Sequence, residues 1–220
     1  MKPIPHELVE FRKLLISQLQ ALGETKSVPA GTAIASFDQG DSRIYLVVKG
    51  TVSIQILDFE QENEVTVTHV APHGVFGLPD SDKSTDPRRL RISAIAKTPC
   101  TVVELQRSQL LQLASKHPDI MMEVCNGLAR FTIKVVEKVG QFAFFSARGR
   151  ISSALLDLCA LPDAATHPSG FLIKNTRMEI AKLVGCTREM VGRVMKDLNR
   201  EGMITTVGRH TIVHNSNASA

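Results

Sequence analysis

The stretch T-R-M-E-I-A-K-L-V-G-C-T-R-E-M-V-G-R-V-M-K-D-L-N-R-E-G, residues 176–202, reads as two amphipathic helices joined by a tight turn. In the first, Ile180, Leu183 and Val184 share one side, the i, i+3, i+4 pattern of a core-facing stripe. Gly185 stands where the chain must turn, and Thr187 can cap the second helix by accepting a backbone N–H. Val191, Val194, Met195 and Leu198 give that helix its own buried side, leaving Arg188, Glu189 and Arg193 on the other. A helix of this kind fits the major groove of B-DNA, where Arg pairs with guanine O6 and N7 and Glu accepts from cytosine N4. The alternative is a solvated helix with ordinary surface charges, so the rest of the chain has to decide.

Working outward, the 220 residues suffice for two modest domains or one large one, and a hydrophobic content of 43% is ample for a packed core. No apolar run approaches the ~18–20 residues of a membrane span. The start, M-K-P-I-P-H-E-L-V-E, lacks an apolar signal core, so a cytoplasmic protein without a membrane partner is expected. The net charge of +4 is uneven: residues 1–140 hold 16 basic and 16 acidic side chains, residues 141–220 hold 10 and 6. The whole excess therefore accompanies the helix-turn-helix pattern, a sign that suits a phosphate partner. Cys100, Cys125, Cys159 and Cys186 are scattered without a C-x-x-C pair, which disfavours a metal site or disulfide framework and predicts buried, reduced thiols. Cys186 is expected in the small core of the turn.

Residues 7–22 form a short amphipathic helix by pattern. From Val28 to about Leu105 the texture changes to short runs of period-two alternation, among them I-Y-L-V-V-K-G-T-V-S-I-Q-I-L, E-V-T-V-T-H-V and R-I-S-A-I-A, separated by turn residues that include the 79–87 segment. Such strands predict a β-sandwich or jelly roll enclosing a pocket. A helix at 107–115 follows, then Pro118 opens a longer one to about 145. Its apolar residues Met121, Val124, Leu128, Phe131, Val135 and Phe142 recur about every 3.5 residues, as in a coiled-coil seam. The stripe must partly pack on its own β-domain, yet its length favours a second helix, and a parallel two-fold homodimer is expected. Residues 146–150 are expected as a hinge, followed by a helix at 150–160, a polar loop P-D-A-A-T-H-P-S-G, and two wing strands around Gly208-Arg209. The reading is an α+β chain of three parts: β-domain 1–116, dimer helix 117–145 and winged helix-turn-helix 146–220.

This order, β-pocket, long helix, winged helix-turn-helix, resembles the cyclic-AMP receptor protein/fumarate-nitrate regulator (CRP/FNR) family of bacterial transcription factors. The resemblance covers nearly the whole chain. It rests on E-K-V-G-Q-F-A-F-F, R-I-S-S-A-L-L-D-L and V-G-C-T-R-E-M-V-G-R-V-M-K from Lys138 onward, which are similar to the cyclic-AMP receptor branch itself, and on the P-x-G-T-x-I, Q-G-D and Y-L-V-x-x-G-x-V-x-I spacing of the β-domain. It implies a cyclic-nucleotide-binding-like jelly roll and assigns base reading to Arg188, Glu189 and Arg193 at a TGTGA-like half-site. It assigns phosphate contacts to Arg177, Thr187, Lys196 and Arg209. Thr166 and His167, in the loop 164–170, match the surface that touches RNA polymerase; a plain connector is the competing reading of that loop.

The pocket departs from the family pattern. Cyclic-AMP binders carry Gly-Glu, the Glu gripping the ribose, and end the cassette in adjacent Arg-Ser gripping the phosphate. Here Gly77 is followed by Leu78, and the segment ends Arg89-Leu90-Arg91 with no adjacent Ser. The Thr-Ser pair that hydrogen-bonds adenine aligns with Val135-Val136, which offer no donor or acceptor. Leaving a buried base edge unpaired costs about 1–3 kcal/mol per group, and each ~1.4 kcal/mol is tenfold in affinity. The expectation is a regulator that does not bind cyclic AMP at physiological levels, with no cofactor and no metal, and an effector the sequence does not identify. Arg88, Arg89 and Arg91 keep the option of an anionic ligand open, or they are edge-strand charges that discourage aggregation. A haem sensor would need ligands from His69, His73, His117 or Cys100, which carry no supporting motif. An enzyme would need a His-x-His cluster, nucleophile elbow or nucleotide loop, and none is present.

Overall fold

The computed structural model describes residues 16–37, 43–58, 63–77, 90–208 and 210–214. A helical segment α1 at 16–22 precedes eight strands: β1 Glu24–Val28, β2 Ala33–Ser36, β3 Arg43–Lys49, β4 Val52–Asp58, β5 Asn63–Val70, β6 Val75–Gly77, β7 Leu90–Ala96 and β8 Cys100–Gln106. They form two four-stranded sheets, ordered β1-β8-β3-β6 and β2-β7-β4-β5. This is the expected β-sandwich.

Strand alternation sets what each face buries. On β3, Tyr45 and Val47 join Val52, Ile54, Phe76, Ala94 and Val102 in one core cluster, with Tyr45 and Phe76 stacked at 5.1 Å between centroids. The intervening Ile44 and Leu46 join Val75, Val103 and Leu105 in a second cluster, completed by Leu19 of α1 and by helical Leu110, Leu113 and Val124. A strand apolar on both faces therefore announces a sheet covered on both sides. Glu104 on β8 is almost fully buried yet paired twice, accepting from Lys26 Nζ at 2.7 Å and Arg43 Nη1 at 2.8 Å. That pairing is what a buried carboxylate requires.

Helix α2, Arg107–Lys116, leads to α3, Pro118–Phe144, which opens on a proline whose missing N–H is one the first helical turn leaves unbonded anyway. Two compact units divide within α3, between Lys134 and Val135, so the long helix is shared between them.

The first part of the expected seam packs within the chain. Val124 is buried in its own β-domain, Met121 and Leu128 pack on the same cluster, and Phe131 packs against the inter-sheet core. These side chains are occupied within the chain. A second stripe one position on is exposed: Met122, Cys125, Ala129, Thr132, Val136, Val139 and Ala143, flanked by Ile133. Its three- and four-residue steps are those of a heptad repeat. Thr132 returns its hydroxyl to Leu128 O at 3.0 Å, so its methyl remains for packing. Periodicity alone does not separate two adjacent apolar stripes of equal repeat. The expectation of buried thiols fails at the same place: Cys125 is exposed, while Cys100 is buried and Cys159 and Cys186 are half-buried.

The second unit contains α4 Ala147–Cys159, β9 Ala165–His167, β10 Gly170–Ile173, α5 Arg177–Val184, α6 Arg188–Arg200, β11 Ile204–Val207 and β12 His210–His214. The strands form one antiparallel sheet ordered β11-β12-β10-β9. Ile151, Leu155, Leu158, Ile173, Ile180, Val191, Leu198, Ile204 and Val213 are among the residues of its core. Two local expectations are revised. The supposed hinge 146–150 is mostly the first turn of α4, capped by Ser146 Oγ accepting from Gly149 N at 3.2 Å. The supposed polar loop contains a hairpin, with Thr166 opposite Phe171 and His167 opposite Gly170. Its strand of three residues was too short for alternation to show.

Candidate nucleic-acid interface

Both helices of the 176–202 stretch begin on a threonine cap. Thr176 Oγ1 accepts from Glu179 N at 3.2 Å while Glu179 Oε2 accepts from Thr176 N at 2.6 Å, a reciprocal capping box. Helix α5 ends at Gly185, whose φ of 60° is left-handed, and a Cβ there would meet the Phe142 ring at 2.8 Å. The glycine is thus required by conformation and by space. Thr187 Oγ1 then accepts from Met190 N at 3.2 Å and starts α6.

Val191, Val194, Met195 and Leu198 bury one side of α6, as expected. Arg188, Glu189, Arg193 and Lys196 are exposed on the other, and Arg177 is exposed at the first position of α5. Thr187 is exposed beside its cap. The wing is anchored to α6 by Asn199 Oδ1, which accepts from Thr206 N at 3.3 Å, and its two strands are tied to each other by Thr205 Oγ1 against His214 Nε2 at 2.8 Å. Arg209, at the wing turn, lies outside the described residues. The arrangement is a rigid scaffold presenting a cationic face with one carboxylate, suited to phosphates and base edges.

Arg150 holds the turn in place, a role no periodicity signals. From α4 its Nε donates to Val184 O at 3.0 Å, Nη1 to Phe145 O at 3.0 Å and Nη2 to Cys186 Sγ at 3.3 Å. The Phe142 ring lies 5.6 Å from the guanidinium carbon. Phe142, expected in the dimer seam, lies beside Gly185 and Arg150 and stays 37% exposed. Cys186 packs against the core as expected. Burial pulls the Lys138 ammonium, 5.7 Å from the Phe142 centroid, below its ordinary range, partly opposed by Asp157.

The expected effector residues are less united. Gly77 ends β6 with φ 116°, where a Cβ would meet Arg43 O at 2.3 Å. Arg91 is half-buried on β7, and Leu78, Arg88 and Arg89 lie outside the described residues. Val135 is half-buried, whereas Val136 is 63% exposed on the outward stripe, so the two valines do not share a face. Thr166 is exposed and His167 half-buried on the outer strand of the hairpin, His167 Nδ1 accepting from Ser169 N at 3.2 Å. The candidate haem ligands do not gather: His69 Nδ1 lies 3.1 Å from Ser53 Oγ, His73 sits in a turn, His117 ends α2 and Cys100 bonds to backbone carbonyls. Among the described residues no three His, Cys, Asp or Glu side chains cluster for a metal, and no helix is long and apolar enough to cross a membrane.

Comparison with known proteins agrees with this geometry. The family of bacterial regulatory proteins, crp family, matches residues 173–204, and the cyclic nucleotide-binding domain matches 25–117. The cAMP-activated global transcriptional regulator CRP of Salmonella typhimurium is 37% identical over 171 residues, 78% of this chain and 80% of that one. The cAMP-activated global transcriptional regulator Vfr of Pseudomonas aeruginosa is 35% identical, covering 77% of this chain and 79% of that one. The solved structure of the c-di-GMP responsive global regulator CLP of Xanthomonas campestris superposes with a TM-score of 0.76 at 25% identity, covering 93% and 100% of the two chains. With a jelly roll, a long helix and a winged helix-turn-helix in this order, and relatives of this identity and coverage, the chain belongs to the CRP/FNR family of DNA-binding bacterial transcription regulators.

Proposed function

We propose that the protein is a homodimeric regulator that reads a TGTGA-like palindrome and binds it without cyclic AMP. The observation that carries the DNA reading is α6 itself, fixed by its buried side and presenting Arg188, Glu189 and Arg193 together to solvent. Arg188 and Arg193 pair with guanines and Glu189 with a cytosine amine. Arg177, Thr187, Lys196 and Arg209 hold flanking phosphates and set the register. The outward stripe of α3 supports the homodimer, because an apolar heptad face of this length needs a second helix. A two-fold axis places two copies of α6 about 34 Å apart, one turn of DNA. Thr166 and His167, on an outer strand away from the core, meet RNA polymerase. No catalytic role is proposed.

Independence from cyclic AMP rests on side-chain chemistry. Leu78, Val135 and Val136 supply no partner for ribose or adenine, and Phe131 of α3 packs an apolar ring against the inter-sheet core. The CRP and Vfr relatives are cAMP-activated regulators, and the proposal sets this chain apart from them. The second reading is a regulator of the same fold gated by a different effector, an apolar or anionic small molecule or a haem. Isothermal titration of the full-length protein with cyclic AMP separates these readings from the family pattern: no heat is expected at micromolar nucleotide, and a micromolar Kd would refute the proposal.

A further inference from the structure

We propose that Gly192 is a positioning residue whose missing side chain seats the Arg177 guanidinium against the base-reading face of α6. Glycine inside a helix is unfavourable relative to alanine, so its presence there asks for a cause. Backbone conformation does not supply one, because Gly192 is not among the glycines of positive φ. Space does. A Cβ at Gly192 would meet three atoms first, all of Arg177: Nη1 at 3.5 Å, Cδ at 3.8 Å and Cζ at 3.9 Å. The Arg177 side chain, rooted on α5, thus crosses onto α6 at a position one turn from both Arg188 and Lys196.

The distances grade the effect of substitution. A bare Cβ makes ordinary contact at 3.5 Å, so alanine leaves the guanidinium in place. The methyls of a branched side chain reach further and displace it. The guanidinium would then lose the fixed fork geometry with which arginine grips phosphate. The inference rests on the reading that Arg177 contacts a phosphate.

The test is the salt dependence of DNA binding by the full-length protein, measured on the TGTGA palindrome and on an unrelated duplex. Each phosphate contact contributes about 0.9 to the slope of log Kd against log salt. Gly192→Val is expected to lower the slope by about 0.9 per bound protomer, weakening both duplexes alike, as Arg177→Ala does. Combining the two should lower it no further, and Gly192→Ala should leave it unchanged. Gly192→Gln, unbranched at Cβ and a good helix former, carries the same expectation as valine should the branched variant lose helical signal. If Arg177→Ala lowers the slope and neither bulky variant does, the proposal is wrong. It is equally wrong if the bulky variants weaken binding as much in the Arg177→Ala background, because the clash is then with DNA itself. An unchanged slope in Arg177→Ala refutes the underlying phosphate reading instead.

Discussion

Thr187 and Arg188 are neighbours with separable tasks. The Thr187 hydroxyl caps α6 by accepting from Met190 N, so Thr187→Ala should cost about 1 kcal/mol of folding stability, read by denaturant unfolding. Arg188 has no buried role, so Arg188→Ala should leave stability unchanged and cost about 1–3 kcal/mol of discrimination, with relaxed preference at one base pair in a binding assay over substituted duplexes. If Arg188→Ala weakens all sequences equally, the residue grips phosphate rather than reading a base. Cys100 gives a pH-dependent check elsewhere. Burial pushes its thiol up, partly opposed by hydrogen bonds to Thr98 and Thr51. A thiol with a raised folded pKa contributes stability at pH values below its unfolded pKa of about 8.5, and that contribution is lost as pH rises further. Alkylation of Cys100 in the native protein at pH 8–9 should therefore be negligible and should appear on denaturation; brisk native labelling would contradict its burial.

Helix α3 shows where reading by pattern succeeds and where it stops. Its existence, start and length were legible from Pro118 and the apolar repeat. Which stripe faces outward was not, because Met121, Val124 and Leu128 repeat with the same period as Met122, Cys125 and Ala129, and only the sheet packed beside them decides. Two substitutions separate the stripes. Val136→Asp, on the exposed face, should preserve the fold and shift sedimentation toward monomer. Val124→Asp, which buries a charge in the β-domain core, should lower thermal stability first. If both act only on stability, the outward stripe is not the interface. Cys125 on that stripe should be alkylated more slowly as protein concentration rises through the association range. The hairpin β9–β10 and the bracing by Arg150 were illegible for a different reason. A three-residue strand offers too little alternation, and a single arginine bonding to Val184 O, Phe145 O and Cys186 Sγ acts through geometry that spacing does not encode.

For the molecule as a whole, the sandwich and the winged helix-turn-helix were readable because each is built from repeated apolar patterns, and the exposed polar face of α6 because Arg188, Glu189 and Arg193 fall off its apolar stripe. The effector side was less readable. Gly77 ends β6, Arg91 lies on β7, Val135 and Val136 stand on different faces of α3, and several of the others lie outside the described segments. What the chain has done with a cyclic-nucleotide-binding fold is therefore the question to settle by experiment. A labelled TGTGA-N6-TCACA duplex should be titrated with apo protein at fixed salt of about 150 mM, since phosphate-driven affinity depends steeply on salt, with and without cyclic AMP and against a scrambled duplex. Tight binding to the palindrome alone, unchanged by the nucleotide, is the expected result. Binding that appears only when cyclic AMP is added would contradict it and show that Leu78, Val135 and Val136 do not abolish nucleotide recognition.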